Sequence, residues 1–255
     1  PPRSTLFPYT TLFRSPDTLE RYNLEERILA SLEKDMSEES AFDYIRKEGI
    51  LPHGESGRIV YRESYSRIKK IYDIVSPLLV NKSMEESLIE INGYKIKLRN
   101  PVYDGRFIFY RGGRLRPKDR LLGWVYHLAA CATGRYSDKF CTMFFASGEN
   151  IKYRFADNSR TVLETLISIY ESGMTEAVPL FPGSSYEYAV QVNSKDPESA
   201  LKSAAGKFRN TGTVCDLNDP YIARIFGESY RLSEEFIDLA DKVYSPMIEH
   251  EEGGE

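Results

Sequence analysis

Lys95, Lys97 and Arg99 stand at alternate positions of the stretch YKIKLR, and further arginines follow them. In an extended strand, alternate side chains project from the same face, so these three cations should form one row. Between Asn92 and Arg120, nine Lys or Arg accompany two Asp, although the whole chain carries a formal net charge of −4. The candidate DNA-binding residues are therefore Lys95, Lys97, Arg99, Arg106, Arg111, Arg114 and Arg116.

A row of cations on a strand has three interpretations. It can contact phosphate groups, with an affinity that falls as salt rises. It can be a solvated outer face, because exposed strands carry Lys and Arg to block pairing at their edges. It can also dock an acidic partner chain.

The elements that must position these residues follow from apolar spacing and turn residues. Helical spacing predicts helices over 19–34, 41–47 and 63–75. Asn92-Gly93 is a strong signal for a two-residue hairpin, and Asp104-Gly105 leads into the strand RFIFY, so three consecutive antiparallel strands are predicted. A helix over 117–133, a hairpin over 140–155 and mostly helices thereafter complete an α/β domain with a mixed central sheet flanked by helices.

Aromatic residues accompany the basic stretch at Tyr94, Tyr103, Phe107, Phe109 and Tyr110. Exposed aromatics can stack on bases. Because Phe107 and Phe109 share a face with period 2, core packing is the preferred interpretation. Farther along, LFPGSSYEYA (residues 180–189) reads as an exposed connection suited to partner contact.

The sequence predicts four segments along the chain. Residues 5–15, TLFPYTTLFRS, are the translation of a widely used short-read sequencing adapter, so residues 1–15 are expected to be an assembly artefact that replaces the natural start of a longer protein. Residues 16–86 form a helical lead-in with a Gly and Pro loop, residues 87–248 form the α/β domain, and residues 249–255 form a frayed acidic tail.

Composition and missing motifs argue against several classes of protein. The chain has no apolar run long enough to span a bilayer, and its three cysteines show no CxxC pair, which argues against a zinc site, an iron-sulfur cluster or a disulfide framework. Packed thiols in a cytoplasmic protein are expected, with no membrane association and no cofactor. No GxxxxGK[ST] phosphate loop occurs, and the lone helix histidine His127 is expected to be a packed residue rather than a catalytic base.

The predicted order of elements also outlines a nuclease of the PD-(D/E)xK type, in which acids on the second and third strands hold a divalent metal. Here those strands read YKIKLR and RFIFYR and contain no acid, while Asp104 lies alone in the turn. The sequence therefore predicts a nuclease-like fold whose catalytic residues are missing, with no bound metal. The alternative is an active metal-dependent nuclease with migrated acids, for instance Glu90 and Asp104.

Several segments together resemble the C-terminal domain family of the exodeoxyribonuclease V gamma chain, RecC. They cover nearly all of residues 17–248, and no single one is a catalytic signature. They are LERYNL at 19–24, GILPHGESGRIVY at 49–61, the hairpin at Asn92, LLGWVYHLAACATG at 121–134, YESGMTEAVPLFPGSSYEYA at 170–189, AAGKFRN at 204–210 and DLNDPYIARIFG at 216–227.

This resemblance implies a nuclease-like domain that has lost its active site. In the family, the domain belongs to a three-subunit bacterial helicase-nuclease complex that processes double-strand breaks in recombinational repair. The resemblance thus implies a chain that is not an enzyme on its own, that docks the beta and alpha chains of the complex and that guides arriving double-stranded or forked DNA.

Overall fold

The computed structural model describes residues 17–209 and 215–253. The segment 1–15, attributed to the adapter, lies outside the described residues. The helices are α1 Thr18–Leu32, α2 Glu38–Lys47, α3 Glu55–Val75, α4 Pro117–Ala132, α5 Ser159–Gly173, α6 Pro182–Val192, α7 Pro197–Arg209, α8 Pro220–Ile225 and α9 Glu234–His250. The strands are β1 Lys82–Ile91, β2 Tyr94–Tyr103, β3 Phe107–Tyr110, β4 Thr142–Ala146, β5 Glu149–Tyr153 and β6 Glu251–Gly253.

The first of two compact units contains the described residues 17–80, 109–114 and 144–149. Helix α1 begins at a capping box, in which the Asp17 carboxylate accepts from the Glu20 amide and the Glu20 carboxylate accepts from the Asp17 amide. The apolar stripes of α1, α2 and α3 meet in one core. That core includes Leu24, Ile28, Ile45, Tyr61 and Ile68.

The second unit contains the described residues 81–108, 115–143, 150–209 and 215–253. It holds the β1–β2 hairpin and helices α4 to α9. An aromatic core joins α6, α7 and α9, with Phe181, Phe208 and Phe236 fully buried. In the described residues, no helix is long and apolar enough to cross a membrane.

The strands form two sheets rather than one. Strands β1 and β2 pair only with each other among the described strands, and the second sheet has the order β3-β4-β5-β6. The Phe107 amide donates to the Cys141 carbonyl, and the Arg111 amide donates to the Phe145 carbonyl. Because the partners advance together along both strands, β3 and β4 are parallel and α4 is their crossover helix. Strand β6 is antiparallel to β5, so the sheet is mixed and the α/β class is confirmed.

The prediction of three consecutive antiparallel strands is wrong at its third member. Two hydrogen bonds between Tyr103 and Arg106 close the turn after β2, but the pairing ends there and β3 bonds to β4. Strand β3 consists of FIFY, and its first ring, Phe107, packs edge-on against Phe140, 5.2 Å away, next to β4. Burial of apolar rings therefore decides the partner of this short strand, not its proximity in sequence.

Two segments that were predicted to be an exposed connection and a frayed tail have regular secondary structure. The stretch LFPGSSYEYA lies mostly in α6, where Ser184, Ser185 and Tyr188 are buried. Of the predicted acidic tail, residues 249–250 complete α9 and residues 251–253 form β6. Within this segment, Glu252 forms ion pairs with Lys152 and Arg154.

Candidate nucleic-acid interface

The β1–β2 hairpin carries the central part of the predicted basic surface. Asn92 and Gly93 both have positive φ, 49° and 78°, as a type I′ turn requires. This turn fixes the register, pairing Ile91 with Tyr94 and every later residue in step. As a result, Lys95, Lys97 and Arg99 lie exposed on one face.

The residues of β1 on the same face partly neutralise those cations. Lys95 lies opposite Glu90, Arg99 lies opposite Glu86, and Lys97 lies opposite Leu88. The Arg99 Nε and Glu86 Oε1 atoms are 3.1 Å apart, in an ion pair that is largely exposed. We define these six residues of the two strands as the hairpin face. Its central cation, Lys97, has an apolar cross-strand neighbour instead of a carboxylate.

Distant residues hold the hairpin through Glu85, whose side chain is mostly buried. Its carboxylate accepts from the Arg135 guanidinium and the Tyr136 hydroxyl, each at 2.9 Å, and from the Ser87 hydroxyl. Partial burial by itself would raise the pKa of Glu85, but hydrogen bonds from Ser87, Tyr136 and Arg135 lower that pKa overall. Arg160, on α5, also donates to the Glu90 carbonyl at 2.8 Å.

These supporting residues were missed by sequence reasoning. Arg135 and Tyr136 lie about fifty positions from Glu85, and Arg160 lies seventy positions from Glu90. No motif or period connects residues so far apart.

The other predicted cations have different surroundings. Arg106 is half-buried, with its guanidinium 3.8 Å from the Asp104 carboxylate, and Arg116 is exposed at the start of α4. Arg111 and Arg114 belong to the first unit. There the Arg111 guanidinium lies over the Tyr22 ring, 5.7 Å from its centroid. The hairpin therefore brings together only the first three predicted residues.

Most of the aromatic candidates pack inside the protein. Phe107 and Tyr103 are buried, and the Phe109 ring stacks on Phe144 with centroids 4.8 Å apart. The Tyr110 hydroxyl donates to the Glu33 carboxylate at 2.6 Å. Tyr94 is the exposed member of the set, packed edge-on against Tyr170. Base stacking by this set is thus limited to Tyr94.

The named acids of the nuclease alternative are far apart. Glu90 lies next to the hairpin turn, whereas Asp104 follows Tyr103, whose partner Lys82 begins β1. Eight residue steps along β1 separate these ends, which corresponds to about 26 Å in an extended strand. Two ligands of one cation must lie within about 6 Å of each other, so Glu90 and Asp104 cannot share a metal. The described residues contain no cluster of three or more His, Cys, Asp or Glu suited to a metal ion.

His127 is a packed helix residue, as predicted. Its ring is fully buried and stacks on Trp124 and Phe140. Nδ1 lies 2.9 Å from the Thr142 hydroxyl, and Nε2 lies 2.8 Å from the Arg154 carbonyl. Because a carbonyl can only accept, Nε2 carries the proton and Nδ1 accepts from Thr142. Burial lowers the pKa of His127 to about 4, despite the hydrogen bond to Arg154.

This low pKa predicts an acid-sensitive stability. The folded state keeps His127 neutral, whereas the unfolded state takes up a proton near its ordinary pKa of 6.5. The contribution is complete above pH 6.5 and is lost as pH falls toward 4, by about 2 kcal/mol at pH 4.5. Urea unfolding at pH 7 and pH 4.5 should show that the native chain loses about 2 kcal/mol more than His127→Gln. Equal losses in both proteins would contradict a buried neutral imidazole.

Comparison with known proteins places this hairpin-bearing α/β chain in a family. Residues 12–193 match the family described as RecC C-terminal domain, and the chain belongs to that family. It is 26% identical over 202 residues to "RecBCD enzyme subunit RecC" of Escherichia coli (strain K12), an alignment that covers 74% of this chain and 18% of that relative. It is 23% identical over 245 residues to the same-named subunit of Buchnera aphidicola subsp. Schizaphis graminum (strain Sg), covering 86% of this chain and 22% of the relative. The chain therefore spans about a fifth of the length of these curated relatives.

Proposed function

We propose that this chain is a non-catalytic domain that docks subunits and guides DNA in a helicase-nuclease complex of the RecBCD type. Such a complex processes double-strand breaks during recombinational repair in the bacterial cytoplasm. The proposal rests first on family membership and on the printed names of the two relatives. The proposed partners are the beta and alpha chains of exodeoxyribonuclease V and double-stranded or forked DNA.

The observation that carries the DNA-guiding role is the row of three exposed cations on the hairpin face. Lys95, Lys97 and Arg99 project from one side of a strand whose register is fixed by the turn at Asn92. Phosphate contacts require charge and position but no base-specific group, so this face suits a duplex that passes without being read. Arg106 and Arg116, in the same unit, are proposed to extend the contact.

The absence of acids from β2 and β3 supports the non-catalytic role. The strands read YKIKLRNPVY and FIFY, where a nuclease of the PD-(D/E)xK type needs carboxylates for its metal. Lys and apolar residues at these positions would repel a divalent cation or leave it without ligands. The nuclease-like origin of the domain is also a proposal, and it rests on what the family resemblance implies.

Changing Lys95, Lys97 and Arg99 together to Ala should weaken binding to forked duplex about tenfold at low salt. If each cation contacts one phosphate, the slope of log affinity against log salt should also fall by about 2 to 3. Fluorescence anisotropy with a labelled fork at several salt concentrations measures both quantities.

The matched control removes three exposed lysines elsewhere in the second unit, Lys195, Lys202 and Lys207. This control changes the net charge equally and should leave both affinity and salt slope unchanged. Equal weakening by the two triple variants would show that only net charge matters, and the hairpin face would lose its role.

A further inference from the structure

The two outer edges of the hairpin differ. In a hairpin closed by a two-residue turn, the flanking residues Ile91 and Tyr94 form both backbone hydrogen bonds with each other. Along the strands, hydrogen-bonded pairs then alternate with pairs whose N–H and C=O groups point away from the partner strand. The backbone N–H and C=O groups of Glu86 and Glu90 therefore point outward from β1. Those of Lys95, Lys97 and Arg99 point outward from β2.

Two carbonyls on the edge of β1 accept hydrogen bonds from arginine side chains. Arg160 donates to the Glu90 carbonyl at 2.8 Å, and Arg135 donates to the Glu86 carbonyl at 3.4 Å. Both acceptors are carbonyls that the alternation places on the outside, which supports the assignment of the two edges.

The edge of β2 is open. No strand pairs with it, and no hydrogen bond in the described part of the chain engages the outward backbone groups of Lys95, Lys97 or Arg99. This edge has natural limits, since the turn lies before Tyr94 and Pro101 has no N–H to donate. Five residues, 95–99, are therefore available for pairing.

We propose that the open edge of β2 binds an extended acidic segment of a partner protein, which adds to the hairpin as a third, antiparallel strand. In this arrangement residues lie directly opposite each other, so the residues facing Lys95, Lys97 and Arg99 share their exposed face. Carboxylates at those alternate positions complement the three cations. The intervening residues lie on the side of Ile96 and the buried Leu98, where apolar side chains fit.

The positive charge of β2 favours an acidic segment over a second copy of the same strand. Two copies of β2 would bring like charges opposite each other, which destabilises a pair of strands. Within the hairpin face, Lys95 and Arg99 already lie opposite Glu90 and Glu86, whereas Lys97 lies opposite Leu88. The carboxylate opposite Lys97 should therefore contribute most to binding.

Binding of the acidic segment goes beyond the proposed function because it requires the outward N–H and C=O groups of β2 in register, whereas phosphate contacts require only charge and position. The segment and DNA would cover the same side chains, so they should compete. Binding of the acidic segment holds whether or not the face also binds DNA.

The test is a titration of a labelled, end-capped peptide of about six residues with the whole chain, in which binding is measured by fluorescence anisotropy. Glu and Val alternate along the peptide. Binding is expected, and methylation of the Glu backbone nitrogens should weaken it about tenfold while leaving every charge in place. Lys97→Glu should also weaken it, and a peptide with Lys at the central acidic position should restore binding to that variant.

Three results would overturn the inference. Equal affinity for the methylated peptide would reduce the interaction to charge alone. A lack of rescue by the Lys peptide would show that the register is wrong. DNA binding to the hairpin face without any peptide binding would make the face a nucleic-acid site only. In that case the titration with the labelled fork would still support the proposed function, so the two failures can be told apart.

Discussion

Gly57→Ala should lower the free energy of unfolding by at least about 2 kcal/mol, because a methyl group at this position meets backbone. Gly57 lies buried in α3, where a Cβ would be 2.0 Å from the Pro52 carbonyl oxygen and 3.0 Å from its carbon. Relief requires movement of the loop before α3, and that loop carries Leu51, a member of the core of the first unit. Urea unfolding followed by circular dichroism measures the loss.

Gly206 provides the matched control for this substitution. It also lies in a helix, α7, but a Cβ there meets nothing within 4 Å. Gly206→Ala should follow helix propensity alone and stabilise the chain by about 0.5 to 1 kcal/mol. A stabilising Gly57→Ala would contradict the close approach of α3 to its preceding loop.

Arg120→Met should destabilise the second unit by about 3 kcal/mol. The Arg120 guanidinium is buried, donates to the Glu251 carboxylate and lies over the Tyr186 ring. Removing one member of a buried ion pair leaves the other charge without its partner, which typically costs about 3 to 5 kcal/mol. The lower value applies here because the Glu251 side chain keeps 19% of its exposure.

A double-mutant cycle separates the ion pair from simple loss of packing. Arg120→Met combined with Glu251→Met should cost clearly less than the sum of the two single changes, because no isolated charge remains. Glu252→Gln is the control on the same strand, since its ion pairs with Lys152 and Arg154 are exposed and contribute below about 1 kcal/mol. Strict additivity in the cycle would contradict the buried pair.

Local signals in the sequence predicted the parts of the fold that local chemistry determines. Asn92 tolerates positive φ through its short polar side chain and Gly93 through its lack of a Cβ, and the turn that they form fixes the hairpin register and the row of cations. The stripes of α1 and α3 were likewise visible as apolar spacing. His127 was correctly predicted to be packed, but its partner Thr142 could not be named.

Strand pairing between distant segments could not be predicted from the sequence. The apolar strand β3 was assigned to the neighbouring hairpin, although it pairs with β4 across the helix α4. In α4, the apolar Leu122 is 59% exposed, while the charged Arg120 is buried. The position of Arg120 becomes intelligible only with Glu251, which lies 131 positions away in a segment predicted to be a frayed tail.

The same limit applies to the candidate interface. Composition identified Lys95, Lys97 and Arg99, but not the carboxylates of Glu86 and Glu90 opposite them, because those positions become neighbours only once the register is known. The hydrogen bonds that Arg135 and Arg160 donate to one hairpin edge are contacts that no local pattern encodes.

The most direct test of a DNA-guiding, non-catalytic domain is one titration of the chain on a labelled forked duplex in magnesium, with bound and cleaved DNA measured in the same tubes. The expected result is binding that weakens as salt rises, with the fork intact at every protein concentration. Cleavage of the fork that a chelator abolishes would contradict it, because a metal-dependent active site would then be present.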